Sequence, residues 1–313
     1  MPGSGTRVAA VVVTFNRRDL LARLLDALRA TPDLDEVIVV DNASTDGTQE
    51  LLGGLGTEGV PVHVVSLTAN TGGAGGFNTG LATAMERGAD LAWLMDDDGI
   101  PDAACLRRLL EFDGELDFWG PAVLAEGDTT QLCFPIRLPG RTSVVSRMTD
   151  VEGAADDRGL LPDIVIPFNG VLVTRALVDE IGLPREEFFI WGDDHEYRLR
   201  AERAGARIAT VVDAHFLHPA TDDLGTPMMF GKTTYNHTPS DLKHYCMARN
   251  NVVNLREYRG WLHVFAFIVK TVWFYSFTRP SVARLRLSAE GIRAGLRNDF
   301  SGHGRYLATR RAP

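Results

Sequence analysis

Val8 to Thr14 reads VAAVVVT, seven residues without a charge and four of them valine. That is the pattern of a strand covered on both faces, which obliges the chain to supply helices on either side of a sheet. Leucines then recur at helical spacing from Arg17 to Ala30, completing a first βα unit. The alternation continues. Glu36 to Val40 reads as a strand ending on Asp41, Asp46 to Leu52 as a short helix, and Val62 to Leu67 as a strand ending near Asn70. Phe77 to Arg87 reads as a helix, Leu91 to Met95 as a strand running into Asp96, Asp97 and Asp98, and Asp102 to Phe112 as a helix opened by Pro101. The expected fold class is α/β, a mainly parallel central sheet flanked by helices, whose ligands bind beyond the carboxyl ends of the strands. Thr14, Asn16, Asp41, Asn70 and the aspartates all fall at those ends.

Gly120 to Asp163 lacks a sustained period and reads as loops and short strands. Regularity returns with a strand in Ile164 to Thr174, helices at Arg175 to Ile181 and about Asp194 to Ala204, and a strand at Ala206 to Val212; Thr221 to Leu242 reads as a mobile loop. Residues 1–230 are expected to form a catalytic domain and 231–313 a C-terminal helical region. At 45% hydrophobic and 23% charged residues, the chain is neither disordered, collagen-like nor coiled coil. Cys105, Cys133 and Cys246 are far apart without a CxxC spacing, which weighs against a disulfide framework or a cysteine zinc site. The opening MPGSGTR lacks the pattern of a secretory signal, so a cytoplasmic location is expected. Net charge is −9, and from Arg279 onward eight arginines face only Glu290 and Asp299. The acidic body argues against nucleic acid as a partner.

Three adjacent carboxylates repel one another unless a cation sits among them. Mg²⁺ or Mn²⁺ suits such oxygen ligands, and strand alternation would put Asp96 and Asp98 on one side; a solvated acidic turn is the plainer alternative. Asn70 to Gly80, NTGGAGGFNTG, reads as a glycine loop before a helix, open to phosphate but without a Walker or GxGxxG pattern. In FFIWGDDHEYRLR, Asp193 and Asp194 follow a Trp-Gly turn, where either can be a general base toward a sugar hydroxyl or simply cap a helix. His218 could complete a mixed oxygen and nitrogen site, although nothing local separates it from His215. Arg249 and Asn250 could hold a phosphate or make structural contacts.

Together VVVTFNR, VDNASTDGT, NTGGAGGF, WLMDDDG, FNG, WGDDHEYRLR and AHFLH resemble a family-2 inverting glycosyltransferase of the GT-A fold, from about residue 7 to 255. Within that family they are most similar to bacterial galactofuranosyltransferases that build arabinogalactan-type cell-wall polymers; rhamnosyltransferases share most of the framework. The resemblance implies that Thr14 and Asn16 line a nucleotide pocket and Asp41 reads the base or ribose. It sets Asn70, Gly72, Gly73 and Gly75 along the diphosphate and donor sugar, with Asp97 and Arg249 also on the nucleotide. Asp96, Asp98 and His218 would ligate Mn²⁺ or Mg²⁺, and Asp194 would be the base. Phe168, Asn169, Trp191 and Asp193 would line the acceptor and donor-sugar side. His195 interrupts the acidic motif before Glu196, which keeps Asp193 open as an alternative base.

The function so implied is transfer of a sugar, galactofuranose from UDP-galactofuranose, onto a polyprenyl-diphosphate-linked glycan. A dTDP-rhamnose donor, a nucleotidyltransferase and a non-catalytic scaffold are the alternatives; the TFNRRD loop lacks the glycine-rich basic signature that a nucleotidyltransferase would carry. Trp261 to Phe277, WLHVFAFIVKTVWFYSF, is too short for a membrane span. Beside arginines it suits an interfacial helix on an anionic membrane, with core packing or self-association left open. The expected location is the inner face of the plasma membrane, as a peripheral protein.

Overall fold

The computed structural model describes residues 5–138, 144–219, 225–231 and 233–307. The chain divides into two compact units. One comprises residues 1–186 and 197–221, the other 187–196 and 222–313.

The first unit is built on a mixed sheet in the order β3-β2-β1-β4-β10-β6-β11-β5. Its strands are β1 (Val8–Thr14), β2 (Glu36–Asp41), β3 (Val62–Ser66), β4 (Leu91–Asp96), β5 (Ile100–Pro101), β6 (Phe118–Ala125), β7 (Asp128–Arg137), β8 (Val144–Arg147), β9 (Leu160–Pro162), β10 (Asn169–Thr174) and β11 (Ile208–His218). The first four pair in parallel. β10 runs antiparallel to β4 and β6, and β11 is parallel to β6. The helices of this unit are α1 (Arg18–Arg29), α2 (Thr48–Gly53), α3 (Gly72–Glu86), α4 (Cys105–Leu110), α5 (Met148–Glu152) and α6 (Arg175–Ile181). Every residue of β1 is buried. Leu21, Leu24, Leu25 and Leu28 of α1 pack on one face with Val8, Ala10 and Val12, while Phe77, Leu81 and Ala84 of α3 pack on the other with Ala9, Val11 and Val13.

The glycine-rich stretch, expected as a loop, is helical from Gly72, because its glycines let α3 lie against the sheet. A Cβ on Gly76 would stand 2.3 Å from Val13 Cγ1, and one on Gly80 2.4 Å from Val11 Cγ1. The aspartates do not alternate along one strand, since β4 ends at Asp96 and Asp97 and Asp98 form a turn. The irregular 120–163 region holds β7, β8, α5 and β9, with residues 139–143 outside those described. β11 extends six residues beyond the expected Val212.

The second unit contains the hairpin β12 (Thr226–Met228) and β13 (Thr233–Tyr235), then α8 (Asp241–Tyr258), α9 (Trp261–Trp273), α10 (Val282–Leu296) and α11 (Gly304–Leu307). Part of the expected loop at 221–242 is therefore ordered hairpin, while residues 221–224 and 232 lie outside the described set. α10 approaches α8 through glycines: a Cβ on Gly291 would meet Tyr245 O at 2.7 Å, and one on Gly295 Arg249 O at 2.4 Å. Before these helices come Glu187–Glu196, which open α7 (Asp193–Ala204). No helix among the described residues is long and apolar enough to cross a membrane.

Candidate active site

In the first unit the loops after β1, β2 and β3 are tied to one another. Asn16, held at φ 53°, accepts from Thr45 N at 2.7 Å through its side chain, and its backbone N donates to Ser44 Oγ. Asp41 is fully buried and accepts from Ser44 N at 3.0 Å and Gln49 Nε2 at 3.2 Å. Asn42, absent from the sequence expectations, accepts from Thr71 N and donates to Gly72 O, each at 2.8 Å. Asn70 accepts from Gly72 N at 2.7 Å. Gly73 faces open space, whereas a Cβ on Gly75 would collide with Thr71.

The turn beyond β4 concentrates charge. Thr14 Oγ1 donates to Asp97 Oδ2 at 2.7 Å, and Arg17 Nη1 donates to Asp97 Oδ1 at 3.1 Å and also to Asp98. Arg17, which the sequence reading did not single out, is thus the cation among these carboxylates. The signal was the repulsion argument itself, which asked for a positive charge of any kind.

β11 brings His218 to the same turn by its pairing. After a register shift between Val211 and His215, Phe216 and Leu217 pair with Pro101 and Ile100 of β5, just past the aspartates. The turn passes so close to Phe216 that a Cβ on Gly99 would lie 2.0 Å from that ring. His218 Nε2 consequently stands 3.3 Å from Asp98 Oδ1. His218 Nδ1 lies 2.8 Å from Pro219 O and 3.3 Å from Cys133 Sγ.

Burial pushes Asp97 up to about 6 against the pull of Arg17 and Thr14. Burial also disfavours the charged form of Asp98, but the His218 hydrogen bond and Arg17 outweigh it and hold Asp98 down at about 2. Burial disfavours the charged form of His218, yet Asp98 and Cys133 carry it up to about 10. Asp96 donates its backbone N to Phe168 O at 3.1 Å. Next to it, Asn169 is buried with Nδ2 donating to Pro167 O and with Oδ1 unpartnered among the described residues.

The donor set suits a hard divalent cation in kind. Asp98 Oδ1 is buried without a hydrogen bond of normal geometry, and an imidazole nitrogen faces it. A Pro219 carbonyl accepting from Nδ1–H would leave Nε2 as the ligand atom. Among the described residues no three His, Cys, Asp or Glu side chains form one metal-holding cluster, so of the expected ligands only Asp98 and His218 stand together.

The second unit presents WGDD on a constrained segment. Phe189, Trp191 and Gly192 have φ of 65°, 72° and 86°, positive values that are costly at the two aromatic residues. α8 supplies the restraint. Asn250 Nδ2 donates to the carbonyls of Phe188, Ile190 and Trp191 at 3.0, 3.1 and 2.7 Å, and Asn254 Nδ2 to Gly192 O at 2.9 Å. Arg249, fully buried, donates to Phe188 O at 2.7 Å and Phe300 O at 3.0 Å, and its Nε to Asn250 Oδ1 at 2.8 Å. Trp191 packs beside Met228, Met247 and Phe274. Asp193 is buried, and burial together with Asp194 and Glu196 raises its carboxyl above the usual range. Asp194 Oδ1 accepts from His195 N at 2.7 Å, and Tyr258 OH donates to Glu196 Oε1 at 2.6 Å. Asn250 and Asn254 act here as loop restraints, a role that only the folded segment reveals.

Residues 9–153 match glycosyl transferase family 2, and a relative 34% identical spans 94% of this chain and 97% of its own length. The chain belongs to that family and is a glycosyltransferase. The relative is the galactofuranosyltransferase GlfT1 of Mycolicibacterium smegmatis. Among solved structures, S. aureus TarS in complex with UDP-GlcNAc has a TM-score of 0.54 at 15% identity, covering 96% of this chain and 90% of that one. Mannosyltransferase PcManGT from Pyrobaculum calidifontis, in complex with GDP-Man and Mn²⁺, has a TM-score of 0.52 at 18% identity, covering 99% and 81%. At these identities the likeness is one of fold, which is GT-A.

Proposed function

We propose that this glycosyltransferase moves galactofuranose from UDP-galactofuranose, with inversion, onto a polyprenyl-diphosphate-linked cell-wall glycan at the cytoplasmic face of the membrane. The observation that carries the choice of sugar is the match to the M. smegmatis galactofuranosyltransferase along 94% of the chain. In this reading the first unit binds the donor, and the second, which takes in residues 187–196 and 222–313 where a division at 230 was expected, serves the acceptor and the membrane. The loops holding Thr14, Asn16, Asp41, Asn70 and Gly72 to Gly75 line the nucleotide and diphosphate, with Asp97 on the nucleotide side; Arg249, expected there too, is fully buried instead. Gly73 supports this by its open surroundings, since a backbone without a Cβ admits a phosphate closely. The donors of Arg249 are engaged by backbone carbonyls, so its contribution runs through the WGDD segment.

Asp98 and His218, with Asp96, would hold Mn²⁺ or Mg²⁺, which when bound neutralises the charge growing on the departing diphosphate. Asp97 stays with Thr14 and Arg17. Phe168, Asn169, Trp191 and Asp193 line the sugars, and the unpartnered Asn169 Oδ1 is an acceptor suited to a sugar hydroxyl. Asp194 takes the proton of the acceptor hydroxyl as that oxygen attacks the anomeric carbon. The carboxyl of Asp193, raised by burial and by its neighbours, is the poorer base of the two when protonated.

The test is the thermal stability of the protein with UDP, dTDP, GDP or ATP, with and without Mn²⁺, and with Asp98→Ala as control. A ligand at 100 times its Kd adds about 2.7 kcal/mol, a shift of several degrees. A Mn²⁺-dependent shift with UDP that Asp98→Ala abolishes is expected. A preference for dTDP would replace the galactofuranosyl reading by rhamnosyl transfer, and ATP alone would favour nucleotidyl transfer. No response to any nucleotide would favour a scaffold.

A further inference from the structure

α9 turns an apolar side to solvent. Trp261, Leu262, Phe265, Val269 and Val272 are 62, 77, 65, 42 and 50% exposed, and at about 100° per residue they share one face. Val264 and Thr271, on the opposite side, are buried. Between α9 and α10 runs an open groove of about 270 Å³, lined by Ile268, Val272, Leu285, Ala289 and Ile292, with Arg293 at its edge. A contiguous apolar surface of this kind marks a contact with something.

The charges beside it identify what. Arg279, Arg286, Arg293 and Arg297 are exposed and pair with no carboxylate among the described residues, whereas Arg284 pairs with Asp241 at 2.9 Å and Arg305 with Glu290 at 3.5 Å. Arg286 and Arg293 are seven residues apart, which sets them on one face of α10. A second copy of this chain docking through the same face would bring like charges together. A partner offering both hydrocarbon and phosphate meets both features at once.

We infer that the α9–α10 face seats on an anionic phospholipid surface, with the exposed α9 side chains and the groove taking acyl chains and Arg286 and Arg293 pairing with headgroup phosphates. This deepens the membrane part of the proposed function and names the residues that perform it. Trp261 at the start of the helix has the amphipathic ring favoured at such an interface.

The test is co-sedimentation of the full chain with vesicles of phosphatidylcholine, with and without phosphatidylglycerol. The protein is expected to bind the vesicles containing phosphatidylglycerol and to be released by salt. Phe265→Ser with Val269→Ser, and separately Arg286→Glu with Arg293→Glu, are each expected to weaken binding about tenfold or more. Failure of the wild-type protein to bind, or wild-type binding by both variants at unchanged melting temperature, would overturn the inference. So would a dimer that the Phe265 and Val269 variant splits while no vesicle binding is seen. The same samples are heated with UDP and Mn²⁺: a retained shift without vesicle binding removes only the lipid face, and vesicle binding without a shift removes only the donor reading.

Discussion

Asp97 and Asp98 are neighbours on one turn and share Arg17, yet their ionisation diverges. Asp97 is the more buried and has only Arg17 and a hydroxyl to favour its charge, while Asp98 adds His218. Removing the shared guanidinium by Arg17→Met leaves both carboxylates facing one another. Because Arg17 is 41% exposed, solvent screens part of the loss, and destabilisation of about 1–2 kcal/mol is expected in chelator-treated protein. Chemical denaturation reads this, and added Mn²⁺ should restore part of it; an unchanged midpoint would show that Arg17 does not neutralise the turn. Asn250 is the second residue with a separable role. Asn250→Ala removes three donor contacts to a backbone segment with positive φ at Phe189 and Trp191, at about 1–3 kcal/mol. Because the segment carries Asp194, kcat should fall more than KM for the donor rises. A change confined to KM would argue against the restraint. The family resemblance, and no local feature of the chain, suggested His218 beside Asp98, and the role of Arg17 required the fold, since nothing in TFNRRD says which arginine turns inward.

At the scale of elements, α3 shows why composition misled. Four glycines in five positions ordinarily break a helix, at about 1 kcal/mol each relative to alanine, but here Gly76 among them, and Gly80 one turn on, stand where the sheet has no room for a side chain. Gly76→Ala and Gly80→Ala should each destabilise by about 1–3 kcal/mol through overpacking on Val13 and Val11. Gly73→Ala, with nothing within 4 Å, should be neutral or stabilise by about 0.5–1 kcal/mol while weakening UDP. Equal effects at Gly73 and Gly76 would contradict the packing account. Among the helices of the second unit, His244 of α8 joins Ser288 of α10 at 2.8 Å and the Tyr275 hydroxyl at 3.2 Å. Burial, with Arg284 and His237 nearby, pulls His244 down to about 4. The unfolded chain takes up this proton near pH 6.5 and the folded one only near pH 4. Stability is therefore full above pH 6.5 and declines as pH falls toward 4, by on the order of 2 kcal/mol. Urea midpoints of wild type and His244→Gln across that range should converge at low pH, and parallel curves would exclude His244 as the cause.

At the scale of the molecule, the chain is not divided end to end. Residues 187–196 group with the C-terminal helices although they lie between β10 and β11 in sequence. Deleting residues 231–313 removes Arg249, Asn250 and Asn254 from the carbonyls of that segment. The truncated chain is expected to lose transfer, and wild-type turnover from it would refute the dependence. What the sequence determined by itself was the βα alternation, the run of aspartates at the end of β4, the WGDD segment and the apolar stretch of α9. Each is written in local runs and spacings, and local runs set strands, helices and the chemistry of their ends. The tertiary structure decided the helical state of the glycine stretch, the joining of His218 to Asp98 through β5 and β11, the cation among the aspartates and the grip of α8 on WGDD. These depend on which distant segments meet, and a meeting across 80 or more residues, as between Arg17 and Asp97, leaves no periodic trace in the chain.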